Sequence, residues 1–190
     1  EFSQTTPMLN WSYRVTDNLM TYATYSEGYK SGGATFRIFP IFPETPLYGP
    51  EEVQSFEIGA KYENNGYRLN LAAFSMDYEN IQVSIFTNIA PVIKNGGEGE
   101  VDGFELEAFM PLGGSFFLEG SFSYLDAKYT AIDPGATEIN LNSKFAMTPK
   151  TQASLGISKV FSLGGGSEIT PRLEWLYTGD RHNDATNTPD

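Results

Sequence analysis

The sequence predicts an all-β chain, an antiparallel transmembrane β-barrel contributing about eight strands of a larger barrel from its 190 residues. Three observations carry this. Short connections rich in turn formers alternate strictly with long irregular ones. Between them, apolar and polar residues alternate with a period of two. No run of about 20 apolar residues is present that could cross a bilayer as a helix. A barrel hides its hydrophobicity from window averages, because lipid-facing and lumen-facing residues follow one another along each strand.

The short connections are Val15-Thr16-Asp17-Asn18-Leu19, Glu63-Asn64-Asn65-Gly66, Pro111-Leu112-Gly113-Gly114 and Ser162-Leu163-Gly164-Gly165-Gly166. Asn-Gly and Gly-Gly supply the positive φ that tight hairpins need. The long connections run over about 30–50, with Pro40, Pro43, Pro46 and Pro50, then about 86–94 and about 131–142, and 181–190 opens a further one. Tight periplasmic turns and long extracellular loops are the asymmetry of outer-membrane barrels. Soluble sandwiches have hairpins too, but rarely in so regular an order.

Strands are expected over 7–15, 19–29, 52–63, 67–86, 93–110, 116–130, 144–161 and 167–180. Several exceed the roughly 9–11 residues that a tilted strand needs to cross the bilayer. The surplus predicts strands that rise above the membrane on the loop side. In 56–63, Phe56, Ile58, Ala60 and Tyr62 oppose Glu57, Gly59, Lys61 and Glu63. In 102–110, Phe104, Leu106, Ala108 and Met110 oppose Glu105, Glu107 and Phe109. The same alternation sets Phe116, Leu118, Phe122 and Tyr124 against Glu119, Ser121 and Ser123, Ala153, Leu155 and Ile157 against Gln152, Ser154 and Ser158, and Leu173, Trp175 and Tyr177 against Arg172, Glu174 and Leu176. Charges on the polar side would face solvent in a sandwich and a wet or plug-filled lumen in a barrel. Aromatic residues gather toward strand ends (Trp11, Tyr13, Tyr62, Tyr67, Trp175, Tyr177), where interfacial girdles belong. In 67–80 the apolar face switches between Leu71 and Phe74, which reads as a β-bulge.

Composition removes other classes. Twelve Lys and Arg against 24 Asp and Glu give a formal charge of −12, without the positive footprint of a nucleic-acid binder. With no cysteine there is no disulfide, thiol nucleophile or Cys-based zinc site. The acidic balance is compatible with a lipopolysaccharide surface, where divalent cations bridge acidic groups, so outer-membrane lipid and lipopolysaccharide are the expected surroundings. The start Glu1-Phe2-Ser3-Gln4 has neither a basic nor an apolar signal region, so the chain reads as a mature protein or an excerpt.

Five segments then resemble strands of TonB-dependent receptors, in family order. They are Leu19–Gly33 (LMTYATYSEGYKSGG), Pro50–Lys61 (PEEVQSFEIGAK), Leu71–Val83 (LAAFSMDYENIQV), Asn95–Glu107 (NGGEGEVDGFELE) and Ser123–Tyr129 (SYLDAKY). The segment 144–180 is similar more weakly, through Thr148-Pro149-Lys150 and Leu173–Asp180. The resemblance implies a barrel of about 22 strands with a plug in its lumen. It also implies TonB pulling on the plug through an N-terminal box, and a small-molecule ligand such as a ferric siderophore bound outside. On this reading 1–190 is a partial receptor barrel domain without plug or closing strand, located in the bacterial cell outer membrane. The rival is a small closed outer-membrane barrel with an adhesive or structural role.

Chemistry beyond binding has little support in the residues. His182 stands alone in a polar segment and reads as a solvated loop residue. Glu105 and Glu107, about 6–7 Å apart on one face of a strand, match a glycosidase carboxylate pair in spacing but read as lumen-facing charges. Gly96, Gly97 and Gly99 lack the Lys and the following helix of a phosphate loop. No enzyme activity, metal or cofactor is expected. The loop over 31–50 is different. Phe36, Arg37, Phe39, Phe42 and Tyr48 place aromatic rings beside a cation in a segment too apolar to lie fully in water. It either packs on neighbouring loops or lines an external vestibule that grips an anionic, aromatic-rich ligand.

Overall fold

The structure is a computed structural model and describes residues 2–35, 46–86 and 91–187. Its strands are β1 (Met8–Thr16), β2 (Leu19–Lys30), β3 (Gly33–Ala34), β4 (Leu47–Tyr48), β5 (Glu51–Asn64), β6 (Tyr67–Glu79) and β7 (Gln82–Phe86). They continue with β8 (Pro91–Asn95), β9 (Gly97–Gly113), β10 (Phe116–Ile132), β11 (Thr151–Lys159), β12 (Phe161–Gly164), β13 (Ser167–Ile169) and β14 (Arg172–Thr178). Eight of them form one antiparallel sheet in the order β1-β2-β5-β6-β9-β10-β11-β14. β1 and β14 stand at opposite edges, so the sheet is open and the small closed eight-stranded barrel does not form. The segment is part of a barrel wall.

Register divides the two faces. One rung runs across all eight strands through Tyr13, Thr21, Ala60, Leu71, Leu106, Phe122, Ala153 and Tyr177. The next runs through Arg14, Met20, Lys61, Asn70, Glu107, Ser121, Ser154 and Leu176. Directly opposed residues share a face, and successive residues alternate. One face is therefore an apolar belt and the other a polar wall, as alternation predicts. Among the described residues nothing forms a second layer over the belt: Phe56 is 52% exposed, Ile58 49% and Leu155 51%. Among the described residues no helix is long and apolar enough to cross a membrane. The belt is instead built for acyl chains. Stacked rings mark both edge strands, Trp11 on Tyr13 at 6.0 Å and Trp175 on Tyr177 at 6.1 Å.

The short turns fall where expected. At Asn65-Gly66 both central residues take positive φ (49° and 83°), the pair that a two-residue hairpin with the strands' own twist demands. Strand lengths differ from the sequence reading in four places, each with a local cause. The expected 67–86 strand stops at Glu79, because Asn80 is left-handed (φ 54°) and β7 turns out to pair with β8. The expected 93–110 strand begins at Gly97, whose φ of 128° separates β8 from β9. The expected 144–161 strand begins only at Thr151, since 144–150 packs among the loops. The expected 167–180 strand breaks before Arg172 at Pro171, which lacks an N–H to donate.

The expected bulge in 67–80 is absent. β6 pairs with β5 and β9 without any register shift. The face switch follows height above the belt. Leu69, Leu71 and Ala73 point outward within it, while Ser75, Asp77 and Glu79 continue the same outward face above it. On the inner face Phe74, Met76 and Tyr78 take over. The buried core of the chain lies at this loop end, where Ile81, Val83, Ile85, Tyr129, Ala136, Ile139 and Ala185 pack with Tyr78, Ile132 and Phe145.

Candidate ligand-binding site

The loop end is held together by side chains that close open backbone groups. Gln82 donates from its backbone N–H to Glu51 Oε2 at 2.6 Å, and from Nε2 to the carbonyls of Ser31 and Gly49 at 3.0 Å each. Asn95 accepts from the Gly49 N–H at 2.6 Å and donates to the Asn80 carbonyl at 2.8 Å. These two amides fasten the stem of the 31–50 loop to the β7–β8 hairpin. The Thr35 hydroxyl accepts from the Ile93 N–H at 3.2 Å beside them.

Further along, Asn187 bridges to Lys144 through both its carbonyl oxygen and its amide. Met147 N–H donates to the His182 carbonyl at 2.8 Å. Segments from four connections thus converge above the inner face of the sheet.

Lys94 Nζ donates to Glu138 Oε1 at 2.9 Å and to the Gly135 carbonyl at 3.2 Å. That hydrogen bond holds the Glu138 carboxyl below the usual carboxylate range, against an upward push from desolvation. A depressed carboxyl contributes stability above its unfolded pKa of about 4.3 and loses it as pH falls through the lower folded value. The pair is a third exposed on each side, so screening limits it to about 1 kcal/mol. In the intact receptor, Glu138→Gln is expected to raise protease cleavage of this loop slightly near neutral pH. The difference from the parent should shrink as pH falls through the lowered folded value of the carboxyl; a difference that stays the same across the acid range would refute the pairing.

Beneath the loops lies a cavity of about 510 Å³ on the inner face. Its floor is Phe74, Met76 and Tyr78 of β6, Val101 of β9, and Leu125 and Tyr129 of β10. Ile81, Val83, Phe145 and Ala185 wall it, and the Phe145 ring meets Tyr129 at 4.6 Å between centroids. Polar groups enter at Gln82, Asn183, Asp184 and the Lys30–Glu51 pair, 3.9 Å apart. An apolar hollow of this size with a few convergent polar groups is suited to a small molecule carrying aromatic or aliphatic surface.

Of the loop residues singled out from sequence, Phe36, Arg37, Phe39 and Phe42 lie outside the described residues. Tyr48 lies in the stem, where β4 pairs with β3 and its hydroxyl sits over Gly33. The rings that floor the cavity were missed by sequence reasoning. Their signal was the face switch after Leu71.

Lower on the inner face, polar side chains knit the wall. Tyr22 Oη donates to Glu57 Oε1 at 2.7 Å, Asn70 Nδ2 to Glu107 Oε2 at 3.1 Å, and Arg172 contacts Glu119 at 2.6 Å and Glu174 at 2.7 Å. Glu105 and Glu107 are part of this wall. His182 is exposed. Among the described residues no group of three or more His, Cys, Asp or Glu side chains is arranged to hold a metal ion.

An open antiparallel wall with an apolar belt outside, a charged face inside and converging loops on top matches one known architecture. The sequence profile described as "TonB dependent receptor-like, beta-barrel" covers residues 1–190. The chain belongs to that family. This TonB-dependent receptor barrel segment resides in the bacterial outer membrane. It is 26% identical to the ferrichrome outer membrane transporter/phage receptor of Escherichia coli K12, over 93% of this chain and 22% of that protein. It is 24% identical to the pesticin receptor of Yersinia pestis, over 94% of this chain and 26% of that protein. Among solved structures, it resembles the ferric yersiniabactin uptake receptor FyuA from Yersinia pestis (TM-score 0.77, 21% identity, 95% of this chain and 26% of that chain). It also resembles BauA, the ferric preacinetobactin receptor from Acinetobacter baumannii (TM-score 0.70, 23% identity, 96% of this chain and 26% of that chain). The receptor segment therefore spans about a quarter of the relatives it matches.

Proposed function

We propose that this chain forms barrel wall and external ligand-binding loops of a receptor that imports a scarce, bulky nutrient such as a ferric siderophore. The observation that carries the reading is the aromatic cavity of about 510 Å³ beneath the converged loops, opening on the inner face. The functions of the relatives, ferrichrome transport and ferric yersiniabactin uptake among them, point to the same cargo class. Residues 1–190 then make up part of a barrel of about 22 strands. TonB would supply the energy through a plug in the lumen, and lipid and lipopolysaccharide surround the wall. The role is transport, not catalysis.

Within this reading the loop residues Phe36, Arg37, Phe39, Phe42 and Tyr48 also contact the ligand, the rings giving contact area and Arg37 a counter-charge for an anionic complex. The test is binding and uptake of a panel of ferric siderophores by the intact receptor in whole cells. One member is expected to saturate uptake, and Arg37→Ala to weaken its binding about tenfold, the loss typical of one charge-assisted hydrogen bond. If no ferric siderophore saturates, the cargo class is wrong. If one does but Arg37→Ala binds it unchanged, the loop is wall and not site.

A further inference from the structure

The short-turn end of the belt carries a cation on its lipid-facing side. Lys159 pairs with Phe116 across β10 and β11, on the same outward face as Leu155 and Ile157. Its Nζ lies 4.4 Å from the centroid of the Phe116 ring and 4.6 Å from that of Phe161. The side chain is half-buried, yet among the described residues no carboxylate comes within ion-pairing distance of it. The backbone fixes the position, with Lys159 N–H donating to the Pro171 carbonyl at 3.2 Å and Val160 N–H to that of Ser115 at 3.0 Å.

Beside the cation lies a recess of about 390 Å³ lined by Phe116, Ile157, Phe161, Pro171 and Leu173. The apolar surface continues onto the β12–β13 hairpin through Leu163 and Ile169, both more than half exposed. Lys on a lipid-facing surface reaches for the headgroup layer while its stem stays among apolar atoms. Here two rings already hold the ammonium in place, so little side-chain freedom is lost when an anion arrives.

We propose that Lys159, clamped by Phe116 and Phe161, binds the phosphate of an anionic glycerophospholipid from the periplasmic leaflet, with one acyl chain lying in the recess between Ile157 and Leu173. The end of the sheet decides the leaflet, because short turns face the periplasm. Charge supports the choice. Above the belt at the loop end, the outward face carries Asp77, Glu100, Asp102 and Asp126, and its cations Lys128 and Lys150 are paired with Glu100 and Asp126. That margin repels a bare phosphate, whereas the Lys159 margin attracts one.

The test uses the intact receptor in mild detergent and native mass spectrometry, titrated separately with phosphatidylglycerol and with diacylglycerol, which lacks the phosphate. Heat-modifiable migration confirms that each variant is folded. Phosphatidylglycerol is expected to saturate one site, and Lys159→Gln to weaken it about tenfold while leaving diacylglycerol unaffected. Lys159→Arg should retain the site. Phe161→Leu, which keeps apolar bulk but removes a ring, should weaken phosphatidylglycerol about threefold. Unchanged phosphatidylglycerol binding in Lys159→Gln overturns the proposal, as does equal loss of both lipids, which would mean an apolar groove with no headgroup recognition. Siderophore binding at the opposite end of the strands should be the same in Lys159→Gln and the parent, so this site and the transport reading fail independently.

Discussion

Gly97→Val is expected to destabilise the loop-end assembly by about 3–5 kcal/mol. Gly97 has φ of 128°, a region that a β-branched residue adopts only with strain. A Cβ there would also run into the Ala131 carbonyl and the Ile132 backbone, which cannot swing away as a side-chain tip could. The position is a junction. Gly97 accepts from the Ile81 N–H at 2.8 Å, Gly96 donates to the Ile81 carbonyl at 2.7 Å and accepts from the Asp133 N–H at 3.1 Å. The β9–β10 ladder shifts register between Tyr129 and Ala131, opposite this point. Forcing the backbone open therefore frees the β7–β8 hairpin and the 133–150 segment together, and with them the packing of Ile81, Ile85 and Ile139. In whole cells carrying the intact receptor, external protease should cleave these loops in Gly97→Val and spare the parent. Gly135→Val is the control, since a Cβ at Gly135 meets open space and should cost under about 0.5 kcal/mol. Equal protease resistance of Gly97→Val and the parent would show that the junction does not hold the loops.

The second large effect sets neighbouring residues against each other. Leu71→Arg is expected to cost about 2–4 kcal/mol in lipid, while Asn70→Arg stays within about 1 kcal/mol of the parent. Leu71 lies between Ala60 and Leu106 on the outward rung and is 49% exposed to the space that acyl chains fill. A guanidinium there must be desolvated or must drag water and headgroups inward. Asn70 lies one residue earlier on the inner rung, between Lys61 and Glu107, and already donates to Glu107. An Arg at that place gains a carboxylate in a wet environment. Denaturant titration of the intact receptor refolded into vesicles measures both. Equal costs, or a larger cost at Asn70, would mean that the faces have been assigned the wrong way round.

Much of this architecture was legible from local patterns. Asn65-Gly66, Gly113-Gly114 and Gly164-Gly165-Gly166 mark turns because positive φ is a property of the residues themselves. The two faces of β5, β9 and β10 follow from alternation, which needs no knowledge of the neighbours. The site was harder to read. The 31–50 loop stood out by composition, yet the described cavity is floored by Phe74, Met76, Tyr78 and Tyr129, ordinary strand residues in the sequence. Their inward rings were visible only as a face switch, and a bulge explained that switch equally well until the unbroken β5–β6–β9 register excluded it.

The sequence alone thus determined that the strands are long, antiparallel and two-faced, with tight turns at one end. Each of those properties rests on φ preference or on side-chain alternation within a few residues. Only the tertiary structure decided where the belt ends on each strand, which loops meet, and that Asn80 and Gly97 turn the β7–β8 hairpin away from the main sheet. Those outcomes depend on contacts between residues such as Gln82 and Gly49 or Lys94 and Glu138, far apart in the chain, whose partners no local pattern names.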